Sequence, residues 1–496
     1  MRATETIDGL LRAAATRRGD APALRFGARS LSYGDLLRAV DRAAAALRAL
    51  GIGDGRIFAI LSENRPELMV AYYAAAKLGA VFVPINPSLT PREVAHIVTH
   101  SGAALLFHDE AMGSVAEAAV PAERRRPLEA LGAAAAPAPT ADIDPADDFL
   151  IIYTSGSTGT PKAVLFDQAA EIAGNASLIE MWGITEEDVT LVALPLGFLY
   201  GLSTAAATGL QAGGQVVIQR RFHPGEVLQA LVANRATIYH GVPTMFTMML
   251  DYAEQNGLAP DLSFMRLLIC AGAPLSVELK ARFAARFNKA IDDYYALTEV
   301  RPVFGRFAAD PAKLPAGAIG RAAPGAVIRI VDGAGLPVQA GEQGELLVRA
   351  PSTLKRYFKD EALTQTALQD GLFRTGDLGF RDAQDFYHLT GRIKDIIIRG
   401  GANIAPAEVE GVIARHPGVQ SVAVIGIPDR KYGEVAAAFV VRRGDAEVSG
   451  EALAALCRNE LAEYKVPAVF RFVPAFPLGA TGKVDKKALR ALWSAA

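Results

Sequence analysis

The chain has 496 residues, of which 51% are hydrophobic and 21% charged, so it is no disordered chain and can bury a large core plus a smaller domain. Its 51 basic and 53 acidic residues leave a net charge of −2, and no global field draws it to nucleic acid or to an anionic membrane. Two cysteines, Cys270 and Cys457, exclude a disulfide framework, and no CxxC or HExxH metal motif is present.

The N-terminus carries acids and lacks an apolar run, unlike a signal peptide, so a cytoplasmic location is expected. Short apolar runs follow at 56–62, 80–86, 104–109, 149–154, 215–219, 236–241 and 267–272. Stretches of helical periodicity separate them, including one over 66–78. This alternation predicts parallel α/β layers. Residues 132–142 read as a surface linker.

Residues 189–210 carry no charge and are long enough to span a bilayer. Pro195, Gly197 and Gly201 interrupt them, and the polar Ser203, Thr204 and Thr208 follow. A buried strand, a turn and a helix are predicted instead. Beyond about residue 310, short strands with Gly and Pro turns predict a β subdomain. Residues 392–496 carry a net charge of +4, against −6 for 1–391. The tail is predicted as a compact α+β unit with helix 406–415, strands 419–427 and 435–442, helix 450–461, strand 468–473 and helix 485–493.

The strongest local signal is the run Thr154, Ser155, Gly156, Ser157, Thr158, Gly159, Thr160, Pro161, Lys162, directly after an apolar strand. Glycines let backbone N–H groups approach a ligand, while the hydroxyls and the lysine add donors and charge, as a polyphosphate requires. Walker A spacing is absent, and Gly51, Gly53 and Gly55 do not complete a dinucleotide fingerprint.

At this loop the sequence resembles the adenylate-forming superfamily: acyl-CoA synthetases, firefly luciferase and the adenylation domains of peptide synthetases. Further motifs extend the resemblance over nearly the whole chain, in order: KLGAVFVPINP (77–87), ICAGAPLS (269–276), DYYALTE (293–299), FRTGDLG (373–379), GRIKDIIIRGGANIAPAEVE (391–410) and PLGATGKVDKKAL (477–489). The implied fold is α/β. A large N-terminal composite of α/β layers plus a β subdomain covers 1–391, and a small mobile α+β C-terminal domain covers 392–496.

The resemblance also implies roles. The loop from Thr154 to Lys162 would hold ATP phosphates, with Gly272 in the adenine motif. Tyr295 would stack on adenine and Asp293 would accept its amino group. Thr298 would bond the α-phosphate and Glu299 would hold Mg²⁺ through oxygen, as a hard cation prefers. Asp377 has two acceptor oxygens for the ribose hydroxyls, with Arg392 beside it. Lys483 would bridge the acid's carboxylate and the α-phosphate where charge develops. Lys394 falls at the hinge about which the small domain turns, and Arg399, Gly400 and Gly401 would line the tunnel for the pantetheine arm of CoA.

The acyl pocket is expected around Phe198, His240, Ala296 and Arg301. Phe198 occupies the usual His position, Ala296 replaces the usual Gly, and Gln168 lies near another usual His. His240 is expected either at the pocket or as a satisfied core histidine. Arg301 and Arg306 could meet a distal carboxylate, or face solvent and pair with acids such as Asp310. The segment 197–201 has no acid to pair with an amino acid's ammonium, which argues against free α-amino acids.

The reading is an ATP-dependent carboxylic acid–CoA ligase acting on a small aryl or short-to-medium aliphatic acid, with ATP, Mg²⁺ and CoA. A stand-alone enzyme loading an acyl carrier protein and a dicarboxylate–CoA ligase are the alternatives. A non-catalytic binding homologue would have lost Lys483, Glu299 or Asp377. No nucleic-acid partner and no membrane insertion are expected, and monomer and homodimer both stay open.

Overall fold

A computed structural model describes residues 6–134, 142–154, 161–310, 313–444, 446–478 and 484–494. Among the described residues three large sheets organise the chain, with a two-stranded ladder of Val300–Arg301 and Ser352–Thr353 beside them. The first has seven strands, with Ile57–Leu61, Val81–Ile85, Leu105–His108 and Arg125–Pro127 in parallel succession. Asp148–Thr154 joins Val81–Ile85 in parallel, and Lys162–Asp167 turns back antiparallel. The helix Pro66–Leu78 starts on a proline and stops at Gly79 in the left-handed region. It is buried nearly all round, so even Lys77 lies inside and pairs with Asp41 at 2.5 Å.

The second sheet has a parallel centre of Gln215–Ile218, Val189–Val192, Ile238–Gly241, Leu267–Cys270 and Asp292–Tyr295. It continues antiparallel through Phe304–Gly305, Ala318–Ala322, Tyr387–Arg392, Leu372–Arg381, Gly344–Arg349 and Val327–Val331. The expected β strands beyond residue 310 therefore join the α/β sheet edge to edge. The hairpin Pro22–Phe26 with Arg29–Ser32, which periodicity did not mark, forms the other edge.

The third sheet, of five strands, is the tail. Its long strands Val419–Asp429 and Gly433–Arg442 pack against helices Pro406–Ile413 and Gly450–Glu460, close to the expected bounds. Arg443 pairs with Glu278 on the helix Val277–Phe287, a contact between tail and body.

The uncharged stretch 189–210 is a strand, a turn and a helix, but the helix is a π-helix, Tyr200–Ala207. No helix among the described residues is long and apolar enough to cross a membrane. The linker expected at 132–142 falls largely outside the described residues.

Candidate active site

The phosphate-loop run connects two antiparallel strands, with Thr154 paired to Lys162 across its base. Ser155, Gly156, Ser157, Thr158 and Gly159 lie outside the described residues, as does Lys483. Leu478 and Val484 bridge on either side of that lysine's loop.

Lys162 and Glu299 meet through Tyr357. The lysine ammonium lies 5.3 Å from the centre of the Tyr357 ring, a cation–π distance, and the Tyr357 hydroxyl donates to Glu299 Oε1 at 2.9 Å. Tyr357 comes from the short strand Arg356–Tyr357, which pairs with Lys162–Asp167. Leu354 N donates to the Glu299 carbonyl at 2.7 Å. The segment 354–357 therefore ties the DYYALTE motif to the phosphate loop's second strand. Sequence reasoning missed Tyr357, because a tyrosine between basic residues carries no spacing signal. Burial first, and Glu299 second, push its hydroxyl well above the ordinary tyrosine range.

A second constellation joins the adenine and ribose motifs. The Tyr295 hydroxyl donates to Asp377 Oδ2 at 2.6 Å. Asp377 and Arg392 are register partners on neighbouring strands, and Arg392 Nε lies 2.7 Å from Oδ1. That contact is ionic but off the hydrogen-bonding direction, so Oδ1 accepts no hydrogen bond from the described residues. Tyr295 stacks on Phe304 with ring centres 4.6 Å apart, and Phe304 stacks on Tyr387 at 5.1 Å. One face of Tyr295 is thus taken by Phe304.

Asp293 pairs with Lys280 at 2.5 Å. Burial raises its carboxyl above the usual range and Lys280 opposes the shift. Any amino group reaching Asp293 shares it with this lysine. Gly272 follows the strand Leu267–Cys270 in the left-handed region, at φ +90°. Thr298 is half-buried beside Glu299.

The turn 195–198 brings the Phe198 segment against KLGAVFVPINP. A Cβ on Gly197 would stand 2.6 Å from the Asn86 backbone, so no side chain fits there. Phe198 is half-buried. His240 is buried, with Trp182 and Tyr200 edge-on at 5.3 and 5.7 Å. Burial alone pushes its pKa down to about 3, so the ring is neutral. The expectation of a satisfied core histidine needs correction in one respect: His240 Nδ1 has no hydrogen-bond partner among the described residues. Ala296 packs on the same cluster, with Trp182 and Tyr294.

Arg301 corrects both expectations made for it. It faces neither solvent nor Asp310, and its guanidinium is committed to Glu171 at 2.5 Å, with both side chains essentially unexposed. Asp310 pairs with Arg321 and Arg306 with Asp292. Gln168 is also structural: it accepts from Ile7 N and donates to the Ala76 carbonyl.

In the tail, Lys394 is exposed in a single turn, Ile393–Asp395, between the last strand of the second sheet and the first of the third. Gly400 and Gly401 form the two-residue turn between Ile397–Arg399 and Ala402–Ile404, at φ +58° and +87°. Their conformation alone demands glycine. A Cβ on Gly401 would meet nothing within 4 Å. Arg399 lies over the Tyr432 ring and donates to the Tyr464 carbonyl at 2.7 Å.

Two motif clusters are thus built: Lys162 and Glu299 meeting on Tyr357, and Tyr295 bonded to Asp377 beside Arg392. A family model described as AMP-binding enzyme matches residues 11–358, and one described as AMP-binding enzyme C-terminal domain matches 408–483. The chain belongs to this adenylate-forming family, in its acyl-CoA ligase branch. It is an AMP-forming acid–thiol ligase of the acyl-CoA synthetase type. It is similar to a feruloyl-CoA synthase of Amycolatopsis sp, 36% identical over 474 residues and covering 95% of each chain. A sulfoacetate–CoA ligase of Cupriavidus necator is 34% identical over 481 residues, covering 94% of this chain and 91% of that one. Among solved structures, ATP-bound MatB from Rhodopseudomonas palustris matches with a TM-score of 0.90 at 29% identity, over 98% of this chain and 99% of that one.

Proposed function

We propose that the protein converts a carboxylic acid, ATP and CoA into acyl-CoA, AMP and pyrophosphate through an acyl-adenylate, and that the acid is a small aryl or short-to-medium aliphatic monocarboxylate. The observation that carries the first half-reaction is the meeting of Lys162 and Glu299 on Tyr357. That shared tyrosine supports reading Lys162 as a cation for the phosphates and Glu299 as a carboxylate for a metal.

A carboxylate cannot acylate a thiol directly, because its leaving group would be oxide; the adenylate supplies a better one. Asp377, held by Tyr295 and Arg392, takes the ribose hydroxyls. The face of Tyr295 turned away from Phe304 takes the base, and Thr298 the α-phosphate. Glu299, oriented by the Tyr357 hydroxyl on Oε1, would offer carboxylate oxygen to Mg²⁺, an ion that fills its shell with phosphate oxygens and water. Bound there, the ion would neutralise phosphate charge as pyrophosphate departs. Lys483 holds the acid's carboxylate against the α-phosphate. Residues 392–496 then turn about Lys394 and present Arg399, Gly400 and Gly401 to the CoA arm.

The acid reading rests on Trp182, Tyr200, Tyr294 and a neutral His240, an aromatic group next to Ala296. A dicarboxylate would need a free cation, and Arg301 already has its carboxylate. The test is pyrophosphate release over aryl, short, medium, long-chain and dicarboxylic acids, each with and without CoA. Small aryl or short-to-medium acids should lead, with thioester formed only when CoA is present. Preference for a dicarboxylate or a long chain would overturn the acid assignment.

A further inference from the structure

Behind the site lies a polar cluster that none of the roles above uses. Arg301, Glu171, Ser203, Asn175, Thr208 and Tyr72 are all at most 2% exposed. Arg301 Nη2 donates to Glu171 Oε1 at 2.5 Å and to Ser203 Oγ at 2.6 Å, and Nη1 donates to Asn175 Oδ1 at 3.1 Å. Ser203 in turn donates its single proton to Glu171 Oε2, which also accepts from Tyr72 at 3.2 Å. Thr208 Oγ1 lies 3.0 Å from Asn175 Oδ1 and 3.1 Å from the Ser203 carbonyl.

Five elements meet here: the helices Pro66–Leu78 and Gln168–Trp182, the π-helix Tyr200–Ala207, the short helix Thr208–Gln211 that continues it, and the strand Val300–Arg301. Burying an ion pair costs so much desolvation that such a pair adds little net stability; what it secures is geometry. The geometry in question is unusual. A π-helix carries an extra residue per turn and lasts only where something holds it. Its first residue, Tyr200, donates to the Ile269 carbonyl at 3.2 Å and lies edge-on to His240. Its fourth, Ser203, is gripped by the ion pair. The same guanidinium belongs to the residue two beyond Glu299.

We propose that Arg301 and Ser203 are positioning residues for the acid. The cluster holds the π-helical register that aims Tyr200 and Phe198, and it fixes that wall relative to the strand leaving Glu299. This rests on the acid-activating reading above. A lysine at 301 could keep the charge on Glu171 but, as a point donor, could not reach Ser203 and Asn175 with the same planar fork.

The experiment measures KM for acid and for ATP separately in pyrophosphate release, with the relative kcat/KM for two acids that the wild type uses. Ser203→Ala and Arg301→Lys should each raise KM for acid by about fivefold or more, leave KM for ATP within about twofold, and alter the preference between the acids; the double variant should be little worse than either single. Lower thermal stability with unchanged acid KM and preference would make the cluster merely structural and overturn the proposal. So would a parallel rise in both KM values. If Arg301→Lys does not fold, Ser203→Ala, which removes one oxygen, decides alone. Should the wild type release pyrophosphate with no acid, the functional reading itself fails, a result distinct from either variant outcome.

Discussion

The Tyr295 hydroxyl and Asp377 Oδ2, 82 positions apart, are joined by a 2.6 Å hydrogen bond. The residue expected beneath adenine thus orients the residue expected on ribose. Phe304 and Tyr387 stack behind the tyrosine, so neither partner can turn away without disturbing the core.

Tyr295→Phe keeps the ring and removes that bond. A buried carboxylate loses a donor, so the variant should be less stable by about 1–2 kcal/mol. KM for ATP should rise by about threefold to tenfold, with KM for acid little changed. Thermal unfolding and steady-state kinetics check both. A folded variant with wild-type ATP affinity would remove Asp377 from the ribose site.

Lys483→Ala should abolish most acid-dependent pyrophosphate exchange while thioester formation from supplied acyl-AMP persists. The lysine's ammonium serves where charge develops during adenylation and is withdrawn in the second conformation. Equal loss in both half-reactions would contradict two conformations with separate duties.

Gly401→Val should give the reverse pattern. At φ +87° a β-branched residue strains the turn that presents Arg399. The turn belongs to the third sheet, away from Glu299 and Asp377, so pyrophosphate exchange should continue as CoA transfer falls. If exchange drops as far as the overall reaction, the glycine pair has no special part in the thiol step.

His240 gives a pH test. Its folded pKa, about 3, is depressed from an ordinary 6.5, so the unfolded chain takes up a proton that the folded chain refuses. The neutral ring's stability is fully present above about pH 6.5 and is lost as pH falls toward 3, with a slope approaching about 1.4 kcal/mol per unit. His240→Phe removes this term. The difference in unfolding free energy between variant and wild type should therefore change steadily from pH 6.5 to 4. Parallel curves would mean that the imidazole finds a proton partner when folded.

The motifs and the strands behind them were legible in the sequence because each is a local signal. A buried parallel strand needs a short apolar run, a polyphosphate loop needs glycines and hydroxyls in sequence, and Pro66 with Gly79 marks both ends of a helix. What the sequence could not show is pairing between distant residues. Nothing in the spacing links Arg301 to Glu171, 130 positions away, or brings Tyr357 to Glu299. Arg301 followed a functional motif and so suggested a ligand contact. The fold instead buried it, and a buried guanidinium must have a carboxylate. The helix after Tyr200 was expected, but not its π register, since local propensity does not distinguish the two. Gly400 and Gly401 were expected to line a tunnel, and the hairpin adds a reason no motif showed, since its backbone angles require glycine. Local chemistry thus followed from residue order. Which side chains share one buried space, and which stay free for a ligand, was decided only when the three sheets packed.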